Sequence, residues 1–179
     1  MSKKHQIFTI GHSNRNLEEF VELLTVHGIT RLIDVRTIPR SRHNPQFNSE
    51  DLSSALKKHK VKYLHMKALG GLRHPRKDSV NLGWHNDSFR GYADYMQSPE
   101  FTSALEELVQ LTREGPTAIM CAEAVPWRCH RSLIADALTV QGFDVKNIIS
   151  LSSSKDHSLN PMAVVDDGRV TYPAESIHH

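Results

Sequence analysis

Two thiols, a carboxylate, an imidazole and two guanidinium groups fall close together in one stretch: Cys121, Glu123, Arg128, Cys129, His130 and Arg131. Residues 116–138 around them begin with the apolar run 117–120 behind Gly115-Pro116. They end in a segment with Leu133, Ile134, Ala137 and Leu138 at helical spacing. The pattern predicts a buried strand, a tight loop and a helix start. Ligands of open α/β sheets sit outside the carboxyl ends of the strands, and the N–H groups of a helix start add positive potential there. Cations and a helix end stabilise a thiolate, so a cysteine in this setting suits nucleophilic catalysis. Cys121 or Glu123 would carry the covalent or proton-transfer step, with His12 or His130 as acid or base. The same cysteines could instead be small buried hydrophobes. They could also form one disulfide, though a reducing cytoplasm disfavours that.

Two further clusters fall at predicted strand ends. Gly11-His12-Ser13-Asn14-Arg15 could hold an anion or merely cap a helix; it lacks the glycine spacing and lysine of a phosphate loop. Asp34-Val35-Arg36, followed by Pro39-Arg40-Ser41-Arg42, combines an acid with three arginines. Such clustering suits an anion, whereas a solvated basic loop with Asp34 in a structural ion pair is the plainer alternative. Asn14, Asp34, Arg36, Arg40, Ser41, Arg128 and Arg131 are therefore substrate-binding candidates. A metal is the competing chemistry: Cys121, Cys129 and His130 could be ligands, joined by His12, His43 or His65, but no CxxC or HxxxH spacing supports it. A nucleic-acid or nucleotide binding module is another alternative, with Arg15, Arg36, Arg40, Arg42, Arg73, Arg76, Arg90, Arg128 and Arg131 as a basic face and Trp84 or Trp127 for stacking. Cysteine phosphatases and rhodanese-type sulfurtransferases share the strand–Cys–loop–Arg layout. Here six residues separate Cys121 from Arg128, one more than in that signature, and Pro126 and Trp127 stand where small residues would cradle a phosphate.

The elements that must position these groups read as follows. An apolar run at 7–10 is a first strand. Leu17, Phe20, Val21 and Leu24 follow at helical spacing, with Asn14 or Asn16 as cap and Gly28 at the end. Residues 30–35 form a second strand, giving one βαβ unit and a parallel sheet. Pro39 and Pro45 keep 37–48 irregular, and Ser49 caps a helix through Leu52, Ala55 and Leu56. A third strand covers 61–66, and a loop follows at 69–73. Residues 74–87 form an irregular excursion that could act as a lid. Phe89, Tyr92 and Tyr95 lie on a helix, with Tyr92 in the core and Arg90 at the pocket. Ser98-Pro99-Glu100 opens another helix with Phe101, Leu105, Leu108 and Leu111 inward. A strand at 145–151 and a hairpin turning at Asp167-Gly168 complete the chain.

The 179 residues are most simply one domain, 1–179, with His178 and His179 set aside as a tag remnant. A hydrophobic content of 39% and a charged content of 23% are those of a soluble globular protein. No apolar run approaches the roughly 18 residues of a membrane span, and the N-terminus has no signal-peptide pattern, so the expected location is cytoplasmic. A net charge of +2 does not by itself imply nucleic acid.

The chain resembles the family called domain of unknown function 488. The resemblance runs nearly its whole length. It rests on Thr9-Ile10-Gly11-His12-Ser13-Asn14, on Asp34-Val35-Arg36 with Pro39 and Ser41, and on Asn44-Pro45-Gln46-Phe47-Asn48. Leu69-Gly70-Gly71, Cys121-Ala122-Glu123 and Cys129-His130-Arg131 complete it. It implies an α/β fold and a shared pocket, and supplies no reaction. The resulting expectation is a three-layer α/β domain with a mainly parallel sheet and helices on both faces. His12, Asn14, Asp34, Arg36, Arg40, Ser41, Cys121, Glu123, Cys129, His130 and Arg131 would gather at one edge. The expected activity is that of an enzyme, a Cys-dependent hydrolase or transferase, acting on a small anionic substrate such as a nucleotide or phosphorylated metabolite. No cofactor is required by the sequence, and a divalent metal is left open.

Overall fold

The computed structural model describes residues 5–174; His178 and His179 lie outside them. A six-stranded sheet forms the middle layer. Its strands are β1 (Gln6–Gly11), β2 (Arg31–Asp34), β3 (Lys62–His65), β4 (Thr117–Cys121), β5 (Asp144–Ile148) and β6 (Ser154–Asp156), in the order β3-β2-β4-β1-β5-β6. All pairs are parallel except β5–β6 at the edge. The two central strands, β4 and β1, face each other from Phe8↔Ala118 to Gly11↔Cys121. β4 is buried at all five positions, as a parallel strand covered on both faces must be.

Helices α1 (Leu17–Val26) and α2 (Ser49–Lys58) cover one face; α3 (Asp87–Tyr95), α4 (Pro99–Thr112) and α5 (Arg131–Val140) cover the other. In α1, Phe20, Val21, Leu23 and Leu24 are buried, each worth about 1.5–3 kcal/mol relative to exposure. Asn16, and not Asn14, caps it: its side-chain oxygen accepts from the Glu19 N–H at 2.7 Å. The two-residue period of β4 divides its side chains between the layers. Ala118 and Met120 join the α1–α2 core, while Ile119 and Cys121 face α3, α4 and α5. The chain thus leaves β1 toward one face and β4 toward the other, and neighbouring strands of that kind open a crevice at their carboxyl ends.

Several expectations need correction. Ser49 is the first residue of α2 and Asn48 is its cap position, without a side-chain cap bond. The Asn48 amide oxygen is already taken by the Ser41 N–H at 2.8 Å. The region 37–48 contains one 3-10 turn, Pro45–Phe47, which Pro45 can start because a first-turn residue needs no N–H partner. The last parallel strand stops at Ile148, because Ser150 and Ser153 close a reversal into β6. Leu111 is only half-buried, and Thr112 takes the inward position. Tyr92 is fully buried, as expected of a core residue. The hairpin also forms as expected, from β7 (Val164–Asp166) and β8 (Arg169–Thr171), with Asp167 and Gly168 both at positive φ.

The excursion before α3 contains no helix or strand, yet it is stitched down. Buried Asn81 donates to Asp94 at 2.8 Å and to Gln97 at 2.9 Å, and accepts from the Tyr172 N–H at 2.8 Å. Asp94 also accepts from Ser79 and from the Arg76 N–H. No helix among the described residues is long and apolar enough to cross a membrane.

Candidate active site

A cavity of about 550 Å³ opens where the sheet layout places a crevice, with Cys121 and Ala122 at its floor. Arg36, Thr37 and Arg40 come from the loop after β2. Gly71 and Leu72 come from the loop after β3, Asn86, Ser88 and Phe89 from the start of α3, and Glu123, Arg128, Cys129 and His130 from the loop after β4. Close backbone packing builds this floor. A Cβ on Gly11 would lie 1.8 Å from the Glu123 carbonyl oxygen, and one on Gly71 would lie 2.5 Å from His130 Nδ1. Only glycine lets the loop after β4 rest on β1 and lets the His130 ring reach under the loop after β3.

Cys121 and Cys129 are free thiols that line the same cavity. Cys121 is 2% exposed. Burial opposes its ionisation, but the neighbouring Cys129 thiol, the charge of Arg131 and the hydrogen bond with Glu123 outweigh it, and its pKa falls below the ordinary thiol value. Cys129 moves the other way. The neighbouring Cys121 and burial both hold its proton. Cys129 Sγ also lies 3.3 Å from His130 Nδ1. His130 Nε2 is 2.9 Å from the Val35 carbonyl oxygen, which can only accept, so Nε2 carries the proton and Nδ1 is the lone-pair side. Burial lowers the His130 pKa to about 4, leaving the ring neutral at pH 7.

Arg131, the first residue of α5, is 1% exposed. Its Nη2 donates to the Ala124 carbonyl at 3.5 Å, and Nε and Nη1 are buried with no hydrogen-bond partner. No carboxylate pairs with it among the described residues. Its field acts on Cys121, where it favours the thiolate.

The cluster at the end of β2 is closed on itself. Arg36 donates from Nε to Asp34 Oδ1 at 2.9 Å and from Nη2 to Oδ2 at 2.7 Å. It also donates to the Phe47 carbonyl at 2.8 Å. Tyr63 donates its hydroxyl to Asp34 Oδ2 at 2.5 Å, and its pKa rises through burial and this carboxylate. His12 is stacked on Phe47 at 4.4 Å. Its Nδ1 faces the Ser13 carbonyl at 2.8 Å and its Nε2 faces Arg36 Nη1 at 3.4 Å. Burial lowers its pKa, so the neutral ring donates from Nδ1 and accepts at Nε2, and both nitrogens are engaged.

Of the residues expected at one edge, the cavity brings together Arg36, Arg40, Cys121, Glu123, Cys129 and His130, and it adds the substrate-binding candidate Arg128. It leaves out His12 and Asp34, buried behind it, and Arg131, buried under the loop. Asn14 is exposed beside Ser13. Ser41 organises its own loop, where its hydroxyl accepts from the Asn44 N–H at 3.0 Å. Arg90 donates to the Trp84 carbonyl and does not line the cavity. His65 is bound to the Arg36 carbonyl at 2.6 Å, and His43 is exposed. Among the described residues, no three His, Cys, Asp or Glu side chains converge in a way that could hold a metal ion. Cys121, Cys129 and His130 all line the cavity, with Cys129 Sγ against His130 Nδ1. Three arginines of the expected basic face have local partners: Arg15 donates to Gly11, Arg73 lies over Tyr95, and Arg76 pairs with Asp78. Trp84 is stacked on Phe89 at 4.8 Å, while Trp127 is 67% exposed.

Asn86, within the 74–87 excursion expected as a lid, forms a wall of the cavity with Ser88 and Phe89, two residues without an expected site role. The signal for this wall is the Asn86 cap, whose side chain accepts from the Ser88 and Phe89 N–H groups and so sets the start of α3 at the cavity.

No curated protein and no solved structure matches the chain. The family model described as a domain of unknown function, DUF488, matches residues 16–138. That stretch begins after the Gly11-His12-Ser13 turn and includes the strand-end motifs at Asp34, Gly70 and Cys121. It spans more than half of the sequence, and the chain belongs to the DUF488 family.

Proposed function

We propose that this protein is a cysteine-dependent enzyme acting on a small anionic substrate, with Cys121 as the nucleophile. The observation that carries this reading is a buried guanidinium, Arg131, that has no carboxylate partner among the described residues and acts on a thiol at the floor of a cavity. A buried cation without a counter-charge is costly, and a Cys121 thiolate supplies the missing negative charge. Cys129 stays protonated beside it, its Sγ 3.3 Å from the neutral His130 Nδ1, which can accept that proton. Arg40 and Arg128, both exposed on the cavity wall, would bind the substrate's anionic group. Cys121 would attack the electrophilic centre, and Glu123, whose Oε1 accepts from the Val125 N–H at 3.1 Å, would serve the proton-transfer step.

The test is the pH dependence of iodoacetamide labelling at each cysteine, read by peptide mass spectrometry. Cys121 should label at neutral pH with a pKa below the free-thiol value of about 8.5. Arg131→Met should slow that labelling about tenfold for every unit by which the pKa climbs back. Labelling of Cys121 only above the free-thiol pKa, or no change in Arg131→Met, would remove Cys121 as the nucleophile.

A further inference from the structure

We propose that Cys121 and Cys129 act as a dithiol pair that reduces small anionic disulfides, Cys121 attacking and Cys129 resolving. This rests on the reading of Cys121 as nucleophile and names the substrate class. A hydrolase would need one thiol and a water; here two free thiols line the same cavity, and each shifts the ionisation of the other. They come from different elements, Cys121 from the end of β4 and Cys129 from the turn before α5. The intervening loop forms the cavity rim. A sulfur group bound to Cys121 would therefore lie beside Cys129, which reacts at a far higher effective concentration than any free thiol. Arg40 and Arg128 on the wall match carboxylate groups on such a substrate.

The steps balance without a metal or bound cofactor. The Cys121 thiolate attacks one sulfur of R–S–S–R, forming Cys121–S–S–R and releasing RS⁻. The Cys129 sulfur then attacks Cys121 Sγ, forming the Cys121–Cys129 disulfide. The bond from Cys121 to the R-bearing sulfur breaks, and that second thiolate leaves with the Cys129 proton as RSH. Two electrons pass from the dithiol to the substrate. A dithiol reductant restores both thiols by the same exchange.

The experiment mixes reduced full-length protein with glutathione disulfide, quenches with acid, and follows intact and peptide masses. Wild type should lose both free thiols as an internal disulfide, with the glutathionyl adduct only transient. Cys129→Ser should stop at a stable adduct on Cys121, and Cys121→Ser should not react. A wild-type time course in which the adduct precedes the internal disulfide gives the same answer without a variant that must fold. The proposal is overturned if wild type itself accumulates a stable adduct, or if the adduct maps to Cys129. Either result would leave Cys121 the nucleophile where its labelling is fast, whereas inertness in both experiments would remove both readings. Glutathione disulfide should also react faster than neutral hydroxyethyl disulfide, with the advantage lost in Arg40→Gln combined with Arg128→Gln. Equal rates for the two disulfides in wild type would overturn the anionic substrate.

Discussion

The ends of β2 and β4 lie side by side in the sheet, and each holds a buried arginine, Arg36 and Arg131. Around Arg36 nearly every polar valence is used: two bonds to Asp34, one to Phe47, and a Tyr63 hydroxyl completing the carboxylate. Around Arg131 two of three nitrogens have no partner, and the nearby ionisable groups are a pair of thiols and a neutral imidazole. Satisfied charge holds the chain in place, because any displacement leaves a buried ion unpaired. Unsatisfied charge beside a thiol lowers the cost of the thiolate. The difference separates scaffold from candidate chemistry in two clusters of similar composition.

Breaking the satisfied side should have the largest effect. Asp34→Asn leaves the Arg36 guanidinium buried without its counter-ion and turns an acceptor toward Tyr63 into an amide. The expected loss is about 3–5 kcal/mol in denaturant unfolding. A loss under about 1 kcal/mol would show that the Asp34 cluster is not the scaffold this comparison makes it.

The next effect is a pH dependence. His130 titrates near 4 when folded and ordinarily at 6.5. Above pH 6.5 neither state is protonated and the residue contributes no slope. As pH falls from about 6.5 to about 4, the unfolded chain binds a proton that the folded chain does not, so stability decreases. The full loss is on the order of 3 kcal/mol, levelling off below pH 4. Burial lowers the His12 pKa too, which adds with the same sign. His130→Gln should flatten the stability–pH curve in this window, and an unchanged slope would place the depressed titration elsewhere.

The smallest effect should come from the unsatisfied side. Arg131→Met replaces an unpaired buried cation with an apolar side chain of comparable length, so unfolding free energy should change by no more than about 1 kcal/mol or rise. A destabilisation like that of Asp34→Asn would mean that Arg131 has a charge partner in the folded protein.

Much of this contrast was legible in residue spacing. Asp34 and Arg36 are two apart at a strand end, so both side chains project to the same side and are placed to pair with each other before any ligand. Arg131 shares the helical face of Ile134, Ala135 and Leu138, all buried, and that spacing already carries its guanidinium inward. Cys121 follows Ile119 by two and takes the same face of β4. The sequence reading treated the arginines alike, as anion ligands, because a list of charges does not say which are neutralised. His12 shows the same limit: its position after a strand suggested acid–base work, and only its contacts with Ser13, Arg36 and Phe47 reveal two occupied nitrogens.

Local pattern was enough to determine the alternation of strands and helices, the mainly parallel sheet, the helix opening at Ser98, a cap at Asn14 or Asn16, and the strand-end position of the motifs. These follow from two- and 3.6-residue periodicity and from short-range hydrogen bonding, which act within a few residues. The tertiary structure decided the strand order, the placing of Cys121 and Cys129 on one cavity, and the lack of a carboxylate partner for Arg131 among the described residues. Those depend on contacts between segments far apart in the chain, where burial and the pairing of charges are set by which elements become neighbours.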